Sequence, residues 1–429
     1  MFLGKLGGRP LFEKTDGLAA PGAAREKLLH KAVAAVTGVT VLLTGSSWAD
    51  GFQQPLSADF VADQTAALAK SADNWVRNQI DPGHPLADSS DPSIRARLSW
   101  NSLEQEMALP GRPGMFLDDN QRPVVATVWP QGQTLAAALD LAAVTRDYRQ
   151  ANAILASLEQ YQLEGAYNPG VFRGLPDKHR LLDDNLWLGL DFLQAYAQTG
   201  DRVYLEKAAG LYDFLEANRH PGGGLHWGEA ETPPSRNAVS NLPAVEYGIR
   251  LYQATHDPKY LAMAKDSDAF VEKYLRSPAG LIWDNVSDAG NVDRTLYSYN
   301  QGTAVRADVL LFQQTHEQKY LDRATATAKA AVEYYGQQDR LWKQPPVFNA
   351  IFFRSLLALD VVAPNPAYRG ALAGYLERAW TQARSPSGLF QGGGIGQYQK
   401  GGMQTLDQAA FIQMFALQAM TPTQISAVG

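Results

Sequence analysis

Ala197-Gln198-Thr199-Gly200-Asp201-Arg202-Val203-Tyr204-Leu205 decides the fold, because the chain writes it more than once. Ala254-Thr255-His256-Asp257-Pro258-Lys259-Tyr260-Leu261 and Gln314-Thr315-His316-Glu317-Gln318-Lys319-Tyr320-Leu321 share its pattern, with tyrosines 56 and 60 residues apart. A weaker copy, Val144-Thr145-Arg146-Asp147-Tyr148, lies 56 residues before Tyr204, and Pro366-Ala367-Tyr368 lies 48 after Tyr320. Five turns at this period, with an initial helix over residues 58–78, imply six helical hairpins.

The two helices of each hairpin differ in patterning. After the turn, Tyr204, Leu205, Ala208, Leu211, Tyr212 and Leu215 make one apolar stripe while Glu206, Lys207, Asp213 and Glu216 face away. Before the turn, Leu186, Trp187, Leu188, Gly189, Leu190, Phe192, Leu193, Ala195 and Tyr196 cover nearly every face, as in a helix buried on both sides. Half-buried helices alternating with fully buried ones fit an all-α (α/α)6 toroid of six helical hairpins, with an open α-solenoid as the competing arrangement. Strand signals are weak; residues 222–227 and 280–285 suit short hairpins on one rim. No Pro/Gly/Ser-rich linker divides residues 50–429, which read as one domain.

The chain has 429 residues, a formal charge of −6 and no cysteine, so its stability must come from packing. Arg25, Lys27, His30 and Lys31 precede an apolar run over residues 32–43, and Ser47-Trp48-Ala49 offers small residues for a signal peptidase. Residues 1–49 therefore read as a leader with a cleaved signal, and the run is too short to span a membrane. Ser46 stands where a lipoprotein would carry its lipid-bearing cysteine. Removing residues 1–49 takes away six Lys/Arg and three Asp/Glu, moving the charge from −6 to −9. That argues against nucleic acid or an anionic membrane as partner. The expected product is a monomer, secreted or associated with the cell envelope.

Asp183-Asp184 carries the candidate chemistry, since paired carboxylates at the head of a buried helical run suit cleavage of a glycosidic bond. The structural alternative makes Asp183 an N-cap, Asp184 a partner of the helix dipole, and Leu182 with Trp187 a hydrophobic staple. Asp118-Asp119 repeats the pair, but Gly111, Pro113, Gly114 and Pro123 around it read as a turn. In a toroid, the loops entering the inner helices gather at one end of a central funnel. This groups Trp129-Pro130-Gln131, Asp183-Asp184, Arg236-Asn237 with Ser240-Asn241, and Tyr299-Asn300-Gln301-Gly302 around one cavity. Trp129, Gln131, Trp187, Trp227, Asn237, Asn241, Tyr299, Asn300 and Gln301 are thus candidate sugar contacts, each with a core or capping role as its alternative. Trp283 and Asp284 follow a Gly-Leu step like that before Trp227 and carry the same two readings. The seven histidines show no zinc spacing, and His256 and His316 belong to the repeat turns. Glu229, Glu231, Asp288 and Asp293 read as solvated rim carboxylates. Neither a P-loop nor a G-x-S-x-G elbow occurs, and no metal or cofactor is expected.

Leu182-Asp183-Asp184-Asn185-Leu186-Trp187, the Thr-Gly-Asp turn before Tyr204-Leu205, Gly222-Gly223-Gly224, Asn237 to Asn241, and Tyr299-Asn300-Gln301-Gly302 together resemble glycoside hydrolase family 76. The similarity runs over residues 129–417. It implies an (α/α)6 retaining endo-α-1,6-mannanase acting on mannan or mannose-containing cell-envelope glycans. By the same resemblance, Asp183 would be the nucleophile and Asp184 the acid/base. Leu188 stands where the family often has a second aromatic, and Trp129-Pro130-Gln131 replaces a Trp-Trp-Gln-like element; both bear on subsite shape. A transglycosylase on the same glycans and a mannan-binding protein without turnover are the alternatives.

Overall fold

The computed structural model describes residues 89–121, 124–171, 180–229, 234–392 and 402–428, within the compact unit Ser89–Gly429. The leader over residues 1–49 and the helix expected over residues 58–78 lie outside the described residues.

Six inner helices form a closed ring: α2 (Val128–Thr145), α4 (Leu182–Thr199), α7 (Ala238–Thr255), α9 (Ser298–Thr315), α11 (Pro346–Val362) and α13 (Thr405–Ala419). Each packs on the next and α13 packs back on α2, so the arrangement is a toroid and not an open solenoid. The outer layer comprises α1 (Pro92–Met107), α3 (Arg149–Ser157), α5 (Arg202–Gly210) with α6 (Tyr212–Ala217), α8 (Pro258–Tyr274), α10 (Gln318–Tyr335) and α12 (Pro366–Gln382); α14 (Pro422–Val428) ends the chain. Helix α1 supplies an outer partner from a stretch whose sequence reading predicts no helix. It starts cleanly because Asp91 accepts from Ser93 N and Pro92 opens the helix.

The repeated turn has one physical cause. Thr145, Thr199, Thr255 and Thr315 each donate a hydroxyl back to the carbonyl four residues earlier. The next residue is left-handed: Arg146, Gly200, His256 and His316 have φ of 64°, 74°, 59° and 59°. The following acid, at 147, 201, 257 or 317, then donates its N–H to the threonine Oγ1. Asp147, Asp201 and Asp257 also accept from the N–H two residues on. Threonine thus closes one helix while aspartate opens the next.

Small residues sit where helices cross, both within the inner ring (Gly302 on α9 against α11) and between the layers (Gly248 on α7 against α8). A Cβ on Gly302 would lie 2.6 Å from the Phe352 backbone, and one on Gly248 2.5 Å from the Tyr260 carbonyl. Further along the axis the ring is polar. Arg354 on α11 meets the fully buried Asp140 on α2, and Gln194 on α4 donates to the same carboxylate at 2.9 Å. Glu246 on α7 pairs with Arg250 at 2.7 Å and with Arg306 on α9 at 3.4 Å, while Gln413 on α13 lies 3.3 Å from Arg354. Every inner helix therefore gives a polar side chain to the axis.

Short strands β1 (Gln162–Leu163) and β2 (Ala166–Tyr167) pair antiparallel, as do β3 (Ser235–Asn237), β4 (Asn285–Ser287) and β5 (Val292–Asp293), with Asn237 opposite Asn285 and Asn285 opposite Asp293. No helix among the described residues is long and apolar enough to cross a membrane.

Candidate active site

A second repeat builds the rim. Arg219-His220-Pro221-Gly222-Gly223-Gly224-Leu225, Arg276-Ser277-Pro278-Ala279-Gly280-Leu281-Ile282 and Arg384-Ser385-Pro386-Ser387-Gly388-Leu389-Phe390 form the same loop. In each, the first and last residues make a β-bridge. The fifth residue, Gly223, Gly280 or Gly388, takes φ of 93°, 80° or 85°, a conformation that favours glycine.

The next device secures these loops to the ring. The fourth residue of every inner helix carries a buried amide: Gln131, Asn185, Asn241, Gln301, Asn349 and Gln408. Each donates to a carbonyl of a preceding loop, that of Gly114, Tyr167, Leu225, Ile282, Leu341 and Phe390 respectively. In four of them the amide oxygen also accepts the N–H of the same loop residue, at 2.6 to 2.8 Å. Gln131, Asn241 and Gln301, expected among the sugar contacts, are thus corrected. Asn241 and Gln301 spend both ends of the amide on loop backbone, because a buried loop must satisfy its own N–H and C=O groups, while Gln131 holds Gly114 through Nε2 and its Oε1 has no partner among the described residues.

Two residues beyond the secured positions Leu225 and Ile282, the loops deliver Trp227 and Asp284 to the head of α4 and α9. Trp227 Nε1 donates to Asp183 Oδ2 at 3.0 Å, and its carbonyl accepts from Leu182 N at 2.8 Å. Asp284 accepts from Asn300 Nδ2 at 3.0 Å and Asn285 Nδ2 at 2.9 Å. Asn300 is fully buried, and its Oδ1 has no partner among the described residues. Asn237 accepts from Ser235 Oγ at 2.6 Å and is the N-cap residue of α7, without capping through its side chain.

Asp183 and Asp184 are the second and third residues of α4. The N-cap is Leu181, so neither the cap nor the staple proposed for this segment forms. Asp183 is half-buried and Asp184 buried. Burial pushes Asp183 up to about 6 even though Trp227 and backbone N–H groups favour its charge, and Asp284 adds like-charge repulsion. Asp184 is held well above the usual carboxylate range, by burial first and by the Asp183 charge second. Burial, then the charges of Asp284 and Asp183, also push the Tyr299 hydroxyl well up, which places these three groups together. The Tyr299 ring stacks on Phe348 at 3.9 Å between centroids, and Trp129 lies 6.3 Å from Phe348. Trp129 is half-buried, and its Nε1 has no partner among the described residues. Trp187, also half-buried, packs on the core one turn beyond Asp183.

Two expectations about the rim change. His220, His226 and Asp288 converge, with His226 Nε2 3.2 Å from Asp288 Oδ2, a meeting hidden from spacing because Asp288 lies 62 residues from His226. Gly222 N–H donates to His220 Nδ1 at 2.8 Å, which leaves the ring proton on Nε2, and Arg236 Nε stands 3.8 Å from the same carboxylate. Within this set the close pairing is that of His226 with Asp288, and the three side chains are spaced as a group that could hold a metal ion. Glu229 is not solvated, since Arg180 grips both its oxygens at 2.6 and 2.8 Å; Glu231 lies outside the described residues.

The family model described as Glycosyl hydrolase family 76 matches residues 97–428. Among solved structures, the chain is similar to the glycoside hydrolase family 76 mannosidase Bt3792 from Bacteroides thetaiotaomicron VPI-5482. Identity is 24%, coverage 77% of this chain and 98% of that one, and the TM-score 0.68. The GH76A α-1,6-mannanase from Salegentibacter sp. HEL1_6 matches at 23% identity over 77% and 99% of the two chains, with TM-score 0.64. An inactive variant of that protein is solved with α-1,6-mannotriose. A D-mannose isomerase shares the fold at 13% identity over 80% and 99% of the chains, TM-score 0.60. No curated protein matches.

Proposed function

The chain belongs to glycosyl hydrolase family 76, and from that premise we propose that it is a retaining endo-α-1,6-mannanase with Asp183 as nucleophile and Asp184 as acid/base. The observation that carries this reading is the unequal surroundings of two adjacent carboxyls. Asp183 receives N–H donors from Trp227 and from Asp184 backbone, which favour the anion. Asp184 is buried beside that anion with no hydrogen bond to its carboxyl among the described residues, which favours keeping its proton. One carboxylate ready to attack and one acid ready to protonate are what double displacement requires.

In the first step an Asp183 oxygen bonds the anomeric carbon while the bond to O6 of the next mannose breaks, and the Asp184 proton moves to that O6. In the second, water gives a proton to Asp184 and its oxygen displaces Asp183, restoring the α configuration. Asp284, held by Asn285 and Asn300, supplies an acceptor for a sugar hydroxyl beside the pair, and Tyr299 on Phe348 supplies an aromatic wall. The α-1,6 linkage is carried over from the Salegentibacter enzyme. The basic-then-apolar leader supports export, which N-terminal sequencing of culture-medium protein tests; the monomer expected from sequence is tested separately by light scattering of the purified protein.

The deciding experiment incubates the protein with linear α-1,6-mannan beside an Asp184→Asn control and follows products by size and by NMR of the new reducing ends. Short oligomannosides released first in the α configuration, from wild type alone, are expected. Initial β product would overturn the retaining assignment, elongated products would show transfer to sugar acceptors, and no product from folded protein would overturn the mannanase reading.

A further inference from the structure

Outside the catalytic floor, one cluster brings three side chains of metal-ligating type together from two loops. His220 and His226 belong to the Arg219 loop and its exit, Asp288 to the turn between β4 and β5, and one ligand atom from each lies within 4.8 Å of the others. His226 Nε2 and Asp288 Oδ2 are 3.2 Å apart, and His220 Nε2 is 3.9 Å from Asp288 Oδ1. A tetrahedral zinc ion with bonds of about 2.0 to 2.1 Å sets its ligand atoms about 3.3 Å apart, so one edge of such a site is already in place. None of the three side chains is buried, which leaves the cluster open to ions from solvent.

The repeated loop departs from its two copies at the positions this cluster uses. Where the others have Ser277 and Ser385 it has His220, and where they have Trp283 and Gln391 it has His226. It also has Gly222 in place of Ala279 and Ser387. Position 222 is the third residue of a β-turn, closed by Gly223 N–H on the His220 carbonyl at 2.9 Å, as the equivalent turns are closed at 3.0 and 2.9 Å. Here the Gly222 N–H donates to His220 Nδ1, an arrangement in which Nε2 keeps the ring proton and does not ligate. Turning the Pro221–Gly222 peptide over gives a type II turn, which suits proline at its second residue and requires positive φ at its third. Glycine takes that φ freely, whereas alanine or serine there would be strained. The Pro221 carbonyl then faces Nδ1 and accepts its proton, leaving a lone pair on Nε2 of a still-neutral ring, which is the outer hydrogen bond that a metal-ligating histidine needs. Across the carboxylate, Arg236 Nε stands 3.8 Å from Asp288 Oδ1, and the Gly223 carbonyl fixes Arg236 Nη1 at 2.9 Å. Asp288 Oδ1 thus has an outer partner while Oδ2 turns to His226.

We propose that His220, His226 and Asp288 form a structural site for a divalent ion of the zinc class, with water as the fourth ligand, that ties the loop carrying Trp227 to the hairpin that follows Asp284. Two imidazole nitrogens with one carboxylate oxygen suit zinc, whereas calcium and magnesium take oxygen ligands. His226 directly precedes Trp227, the donor to Asp183, and Asp288 lies four residues beyond Asp284. An ion at this place braces the two segments that deliver Trp227 and Asp284 against each other without touching substrate.

The test titrates chelator-treated protein with zinc chloride and follows binding by calorimetry and by melting temperature, with the zinc-free melting points of the variants as the folding control. One ion per chain is expected, and zinc at a hundredfold excess over its Kd should raise the melting point of the 341-residue unit by about 4 °C. Calcium chloride should give no such shift. His226→Ala and Asp288→Asn should each weaken zinc binding by more than about tenfold. Gly222→Ala keeps all three ligands and should still weaken it about tenfold, because the turned-over peptide becomes strained. Zinc that does not bind, or that binds His226→Ala and Asp288→Asn as tightly as wild type, overturns the site. Binding lost in those two variants but unchanged in Gly222→Ala overturns the part given to the peptide turn. None of these measurements uses a sugar, so their outcome is separate from that of the mannanase assay.

Discussion

Replacing Arg354 by methionine isolates the charge that binds the toroid axis together. Asp140 is fully buried, and the change leaves it Gln194 Nε2 at 2.9 Å as its remaining donor among the described residues. Breaking a buried ion pair by removing one partner costs about 3 to 5 kcal/mol, because the other charge stays desolvated. For the 341 residues of the compact unit, an unfolding entropy of about 2.1 cal/mol/K per residue converts that loss into a melting point lower by about 4 to 7 °C. The loss must also depend on pH. Burial already raises the Asp140 carboxyl against the opposing pull of Arg354 and Gln194, and losing Arg354 raises it further. A carboxyl whose folded pKa lies above its unfolded value binds protons more tightly when folded, so stability falls as pH rises through that window. Calorimetry should therefore show a smaller deficit at about pH 5 than at about pH 8. Asp140→Asn in the Arg354→Met background should recover at least half of it. A deficit under about 1 kcal/mol, or one equal at both pH values and unrelieved by Asp140→Asn, would refute the argument.

Other consequences test the site. The profile of kcat/KM against pH should rise with a midpoint near 6 as the pair loses its first proton, mostly from Asp183, and fall at higher pH as Asp184 ionises; an acid limb flat down to about pH 4 would contradict these surroundings. Trp227→Phe removes the donor to Asp183 Oδ2, so the acid limb should move to higher pH and kcat/KM at neutral pH should drop about tenfold, measured on one oligomannoside; an unmoved limb tells against that bond. Gln301→Leu leaves the buried N–H and C=O of Ile282 without the amide, which should cost about 2 to 6 kcal/mol in denaturant unfolding and loosen Asp284 two residues away; wild-type stability would show the amide to be dispensable.

The Thr-x-Asp turns made the hairpins legible in sequence because local hydrogen bonds, visible in residue type, determine them. So did the paired Asp183 and Asp184, whose place at the head of a doubly buried helix follows from patterning. The amides were misread for a physical reason. Gln131, Asn241 and Gln301 look like sugar ligands as single residues, and their duty shows only when all six inner helices are aligned at the fourth position. The Arg-x-Pro loops carried a further signal in the spacing of Arg219, Arg276 and Arg384 that would have drawn Asp284 in beside Trp227. Asp288 with His226 joins segments that no local pattern connects.

The six amides also separate two kinds of change that a protein of this shape can undergo. Each loop is moored to its own helix by contacts that ask nothing of the loop's other side chains, since the partners are backbone groups. Residues beyond a mooring can be exchanged, lengthened or shortened while the floor that holds Asp183 and Asp184 keeps its shape. Diversification is thus confined to the mouth, where new glycan preferences can be tried one loop at a time.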